Sequence, residues 1–109
     1  MPSVKVAKIE DIPPGTKKSI KASKTRILVS NVNGKFYATQ SICSHLSNPL
    51  FTGKLQGNII WCDKHWASFD VTSGKVMTLP EGYSLESILP LKTYPVRVEG
   101  SDIIIEVPE

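Results

Sequence analysis

The chain of 109 residues has room for one domain built on one core, and residues 1–109 are expected to form a single unit. Its 40% apolar and 21% charged residues are ordinary for a folded globular chain. No window approaches the roughly 18 consecutive apolar residues of a membrane helix, and "MPSVKVAKIEDIPPG" lacks the apolar centre of a secretory signal. A cytoplasmic protein without membrane association is therefore expected.

The formal charge of +3 is modest but uneven. Lys5, Lys8, Lys17, Lys18, Lys21, Lys24 and Arg26 face only Glu10 and Asp11 within the first 26 residues. Such a run reads as a solvated strand face, or as a docking surface for an acidic protein. Nucleic acid is not expected as a partner, because no aromatics are interleaved to stack on bases.

From there the chain reads as short strands and turns, which gives an all-β class. "TRILVSNV" (25–32), Asn33-Gly34 and "KFYATQS" (35–41) form a strand, a two-residue turn and a strand. "GNIIWC" (57–62) is a short apolar strand. "SFDV", "TSGK" and "VMTL" (68–79) read as strand, turn and strand, with Gly74 supplying the permissive backbone. "YPVRVE", "GS" and "DIIIEV" (94–107) make a second hairpin, in which Pro95 marks an edge or a strand start. Three stretches fit no strand. "CSHLSNPLFTG" (43–53) and "CDKHW" (62–66) are loops, and "LPEGYSLESILP" (79–90) is a covering loop or a helical turn at "SLESI".

The chain's two cysteines and two histidines all lie in the first two of these loops. Cys43-x-His45 is followed by residues 46–61 and then Cys62-x-x-His65. A Cys43–Cys62 disulfide leaves both histidines unexplained and is rare inside cells. Zinc accepts two thiolates and two imidazoles, although zinc knuckles usually bring like ligands in pairs and with a wider gap. A Cys–His catalytic dyad uses one pair and leaves the other idle.

C-x-H, sixteen residues and C-x-x-H resembles the Rieske iron–sulfur family. The likeness continues through "NPL", Gly53, the strand into Cys62, "FD" at 69–70, "TSGK" and the closing "YPVRVEGSDIIIEV". The resemblance implies an antiparallel β sandwich or barrel with a cluster-binding part at about 41–80, formed by two loops. It also implies a 2Fe-2S cluster with Cys43 and Cys62 on one iron and His45 and His65 on the other. Two ferric ions, two sulfides and two thiolates sum to zero charge, so an added electron costs less than in an all-cysteine cluster. The histidine iron is then the one reduced, and the free imidazole nitrogens make the potential fall as pH rises.

Departures from the family pattern place the chain within it. Members of quinol-oxidising complexes carry a further cysteine in each loop, where this chain has Asn48 and Lys64. Their serine and tyrosine after the last histidine, which donate to cluster sulfur, are Ala67 and Phe69 here. The expected potential is near the low end of the roughly −150 to +300 mV Rieske span. Trp66 and Ser47 stand where glycines are common, and Pro80 or Pro90 is the candidate for the family's proline-bearing cover. The reading is a soluble one-electron carrier and not an enzyme, with a reductase and an oxygenase or other redox enzyme as partners. The alternatives are a small regulatory subunit of a redox enzyme and a zinc-stabilised binding module.

Overall fold

In the computed structural model the described residues are 3–22, 25–41, 53–61, 67–78 and 90–107. The strands are β1 (Ser3–Lys8), β2 (Lys17–Ala22), β3 (Thr25–Val32), β4 (Lys35–Gln40), β5 (Leu55–Gln56) and β6 (Ile59–Trp61). They continue with β7 (Ser68–Asp70), β8 (Val76–Thr78), β9 (Thr93–Tyr94), β10 (Val96–Glu99) and β11 (Asp102–Glu106). One 3-10 turn, Ile9–Asp11, follows β1. The expected helical turn at "SLESI" lies outside the described residues.

Among the described residues all pairings are antiparallel, in three sheets ordered β1-β11-β10, β2-β3-β4-β9 and β5-β6-β7-β8. The all-β expectation holds, and β3 shows how the sheets stack. Ile27 and Val29 pack with Ile103 and Ile105 of the first sheet. Leu28, on the opposite face, packs with Ile60 and Phe69 of the third. Successive side chains point to opposite faces, so the second sheet is the middle layer. This is why "ILV" in β3 is a continuous apolar run and not an alternating one. Among the described residues Phe69 is the largest fully buried side chain, and truncating such a ring costs about 3–5 kcal/mol.

The β3–β4 hairpin turns through Asn33 (φ 53°) and Gly34 (φ 92°), the paired positive angles of a type I′ turn. Asn31, buried just before it, ties this turn to the loop after the 3-10 turn. Its Nδ2 donates to the Ile12 carbonyl at 2.7 Å, and its Oδ1 accepts from the Gly34 amide at 2.8 Å. Asn31→Ala strands both partners, so urea unfolding should show a loss of about 1–3 kcal/mol. A loss below about 0.5 kcal/mol, the level of an ordinary surface change, would show that these bonds contribute nothing.

Pro95 sits between β9 of the middle sheet and β10 of the first. The expected strand from Tyr94 is thus two strands in different sheets, with Pro95 at the crossing. It has no amide hydrogen to lose there.

Candidate metal centre

Cys43, His45, Cys62 and His65 lie outside the described residues, as do Ser47, Asn48, Lys64, Trp66 and Pro80. What the structure gives is the frame from which their two loops spring. The stretch 42–52 leaves after Ser41, at the end of β4, and returns at Gly53-Lys54, next to β5. The stretch 62–66 leaves from Trp61, at the end of β6, and returns at Ala67, just before β7. The Trp61 amide donates to the Lys54 carbonyl at 2.9 Å, and Trp61 pairs with Ser68 across β6 and β7. Three of the four loop roots therefore meet at one end of the third sheet. Sequence reading missed this junction, because it depends on pairings between separate strands.

The opposite end of that sheet is tied shut. The β5–β6 turn passes through Gly57 (φ 59°), and the Val71 amide donates to the Asn58 carbonyl at 2.9 Å. Gly74 (φ 81°) donates to the Asp70 carbonyl at 2.6 Å and accepts from the Leu91 amide at 2.8 Å. A rigid base below two loops suits a centre that must change charge with little movement.

Asp70 organises that base. Its Oδ1 accepts from the Thr72 amide at 2.9 Å and the Thr72 hydroxyl at 2.6 Å. Partial burial pushes the carboxyl pKa up. The Thr72 bonds, a bond from Asn58 and the Lys75 charge outweigh it and hold the pKa below its usual value. A carboxylate with a lowered folded pKa contributes stability above its unfolded pKa and loses it as pH falls to the folded value. The urea midpoint should fall as pH drops below about 4, and Asp70→Asn should flatten that slope. An identical slope in the variant would place the acid sensitivity elsewhere.

Ala67 and Phe69 are both wholly buried in the core shared by the middle and third sheets. Trp61 is half-buried, as a packing role predicts. Pro90 is exposed and precedes the buried Leu91. Three buried hydroxyls, Ser30 Oγ, Ser41 Oγ and Ser68 Oγ, have no partner among the described residues, and two of them, Ser41 and Ser68, lie at loop roots. Buried donors of this kind normally have an acceptor. Two cysteines and two histidines, in stretches whose roots meet largely at this tied sheet, make a donor set that fits an iron–sulfur cluster.

Comparison with known proteins agrees. A family model described as "Rieske [2Fe-2S] domain" matches residues 3–95. The chain is 36% identical over 107 residues to the ferredoxin component of biphenyl 2,3-dioxygenase from Rhodococcus jostii (strain RHA1), covering 98% of this chain and 94% of the relative. Among solved structures it resembles the Sphingomonas yanoikuyae B1 ferredoxin, with TM-score 0.87 and 28% identity over 98% of this chain and 100% of the other. A chain in the complex of reduced oxygenase and oxidized ferredoxin of carbazole 1,9a-dioxygenase gives TM-score 0.81 and 28% identity, covering 94% of this chain and 91% of that one.

Proposed function

The chain belongs to the Rieske iron–sulfur family, and on that footing we propose that it is the ferredoxin component of a dioxygenase system. It would take single electrons from a reductase and deliver them to a terminal oxygenase. The relatives that it resembles over nearly their whole length are ferredoxin components, and one solved relative is a ferredoxin complexed with its oxygenase. No helix among the described residues is long and apolar enough to cross a membrane, in keeping with a cytoplasmic carrier.

We assign the cluster ligands to Cys43, His45, Cys62 and His65. One observation carries this assignment: the family's cluster takes two cysteines and two histidines, and the chain has two of each. Residues 1–109 are read as one domain. Its first strand pairs with its last, and β3 contributes to both cores.

When bound, the cluster supplies one-electron chemistry, one iron passing between ferric and ferrous. The residues of this chain set the terms of that exchange. The two thiolates balance the charge of iron and sulfide, while the imidazoles leave the oxidised unit neutral. The sheet below, held at Asp70 and Gly74, keeps the loop roots fixed.

Electron paramagnetic resonance of the dithionite-reduced, reconstituted protein tests the reading. A Rieske-type spectrum is expected, with about two irons and two acid-labile sulfides per chain. Cys43→Ser and Cys62→Ser should each abolish it. An all-cysteine spectrum would refute the ligand assignment, and colourless protein with one zinc per chain would refute the carrier.

A further inference from the structure

We propose that the Lys21–Arg26 end of the β2–β3 hairpin is a docking surface for a carboxylate-rich redox protein, beside the root of the first ligand loop. The proposal rests on the carrier reading above and adds where, and to what chemistry, the carrier docks.

The first observation is charge segregation. Between Asp11 and Asp63 the chain has no acidic residue, yet it carries Lys17, Lys18, Lys21, Lys24, Arg26, Lys35 and Lys54. This stretch includes β2, β3, β4 and the whole first loop. The second observation is register. Lys21 lies directly opposite Arg26, and both are exposed. Like charges facing each other across strands destabilise a sheet. Among the described residues neither has a carboxylate partner, whereas Lys5 pairs with Asp102 and Arg97 with Glu99 in the first sheet. A folded chain that retains such a pair holds two cations ready for an acid from outside.

Position makes the pair useful. Ile27 is opposite Gln40, the last residue of β4. Arg26 therefore reaches one residue further, alongside Ser41, where the chain enters the loop bearing Cys43 and His45. Arg26 also shares a face of β3 with Leu28, the face that packs against Ile60 and Phe69 of the third sheet. The cations thus lie beside the root of the first ligand loop, on the face of the middle sheet that is covered by the third sheet, from which the second loop springs. A partner held there by charge would meet the cluster end.

Edge protection is the competing account, since lysines on an outer strand discourage sheet-to-sheet association. It covers β2, an outer strand, but not Arg26 on β3, which lies between β2 and β4. Nor does it require the absence of acids as far as Asp63. Nucleic acid fits poorly, because the first aromatic residue in the chain is Phe36, so the basic run from Lys17 to Arg26 offers no stacking platform of its own.

Stopped-flow reduction of the cluster-loaded protein by flavodoxin hydroquinone, an acidic one-electron donor, tests the surface. One electron leaves the flavin, giving semiquinone, and one ferric iron becomes ferrous. Three variants are compared with the parent: Lys21→Glu, Lys21→Glu/Arg26→Glu and, as a control of equal charge change, Lys18→Glu/Lys35→Glu. Lys18 is on the other face of β2, and Lys35, the first residue of β4, lies by the opposite end of β3 from Arg26. The parent's rate should fall as salt rises, and the double reversal should lower it at least about tenfold at low ionic strength. The control should stay within about twofold. Lys21→Glu alone puts an acid opposite Arg26, so it should melt no lower than the parent and still react more slowly.

The proposal is overturned if the double reversal stays within twofold of the parent, if the control loses as much, or if the parent's rate rises with salt. It is also overturned if a 20-mer RNA or phosphatidylserine vesicles bind this surface while flavodoxin is indifferent to its reversal. Dithionite separates the two readings, since it needs no docking. Parent protein with no dithionite-reducible cluster refutes the carrier, whereas reducible protein indifferent to the reversals refutes only the surface.

Discussion

Gly74→Ala should cost the protein its cluster before it costs the protein its fold. A Cβ at this position would lie 2.2 Å from the Leu91 carbonyl oxygen and 3.1 Å from its carbon. Backbone atoms cannot rotate away as a side chain can. The φ of 81° adds a second penalty, about 1–2 kcal/mol for a residue with a Cβ. To relieve the overlap, the Leu91–Gly74 hydrogen bond must open and Leu91 must leave the core it shares with Leu28, Ile60 and Phe69. The combined loss is about 3–5 kcal/mol, a large part of a total of about 5–15 kcal/mol. A fall in melting temperature of at least roughly 10 °C is expected. The damage is local, because the other core, built on Ile27, Val29, Ile103 and Ile105, does not include Leu91. Visible absorption of the cluster should therefore vanish on heating while far-ultraviolet dichroism still reports sheet. If the two signals are lost together, at the parent's temperature, the base formed by Gly74 does not hold the loops.

The two hairpins around Gly34 and Gly100 were legible because their signals are local: turn residues with positive φ between apolar strands. The four candidate ligands stand out in the sequence for a different reason, their scarcity, and lie outside the described residues. β2 was not legible, since "KKSIKA" on an outer strand buries only part of Ile20 and shows no apolar period. β1 did carry a signal, the alternation of Val4 and Val6 with Ser3 and Lys5. That signal is short and is flanked by the charges of Lys8, Glu10 and Asp11. Its pairing with β11 spans nearly the whole chain, and no neighbouring residues encode it. The same holds for the frame of the site. That Lys54 meets Trp61, and that Asn58 meets Val71, follows from how the third sheet closes, whereas spacing along the chain reveals only that loops leave it. The basic run was visible from the start. Its choice of face and end emerged only from the register of Lys21 with Arg26 and of Ile27 with Gln40.

Restoring hydroxyl donors next to the cluster should raise its potential. Ala67 and Phe69 occupy the positions where members of quinol-oxidising complexes have serine and tyrosine, and both are wholly buried. The reduced cluster carries one more negative charge than the oxidised one, so a buried donor favours reduction. A hydrogen bond to a charged group is worth about 1.5–3 kcal/mol, and a one-electron couple shifts by about 59 mV for each tenfold in its equilibrium. Each of Ala67→Ser and Phe69→Tyr is therefore expected to raise the potential by roughly 60–130 mV, read by protein-film voltammetry. Burial makes the experiment discriminating. In an apolar core a new hydroxyl without an acceptor costs about 1–3 kcal/mol, so its fate appears in stability as well as in potential. A raised potential with little loss of melting temperature means that cluster sulfur accepts the bond. An unchanged potential with a lower melting temperature means that the hydroxyl points into the core around Leu28 and Ile60. The absence of these donors would then not be a ground for expecting a low potential in the parent.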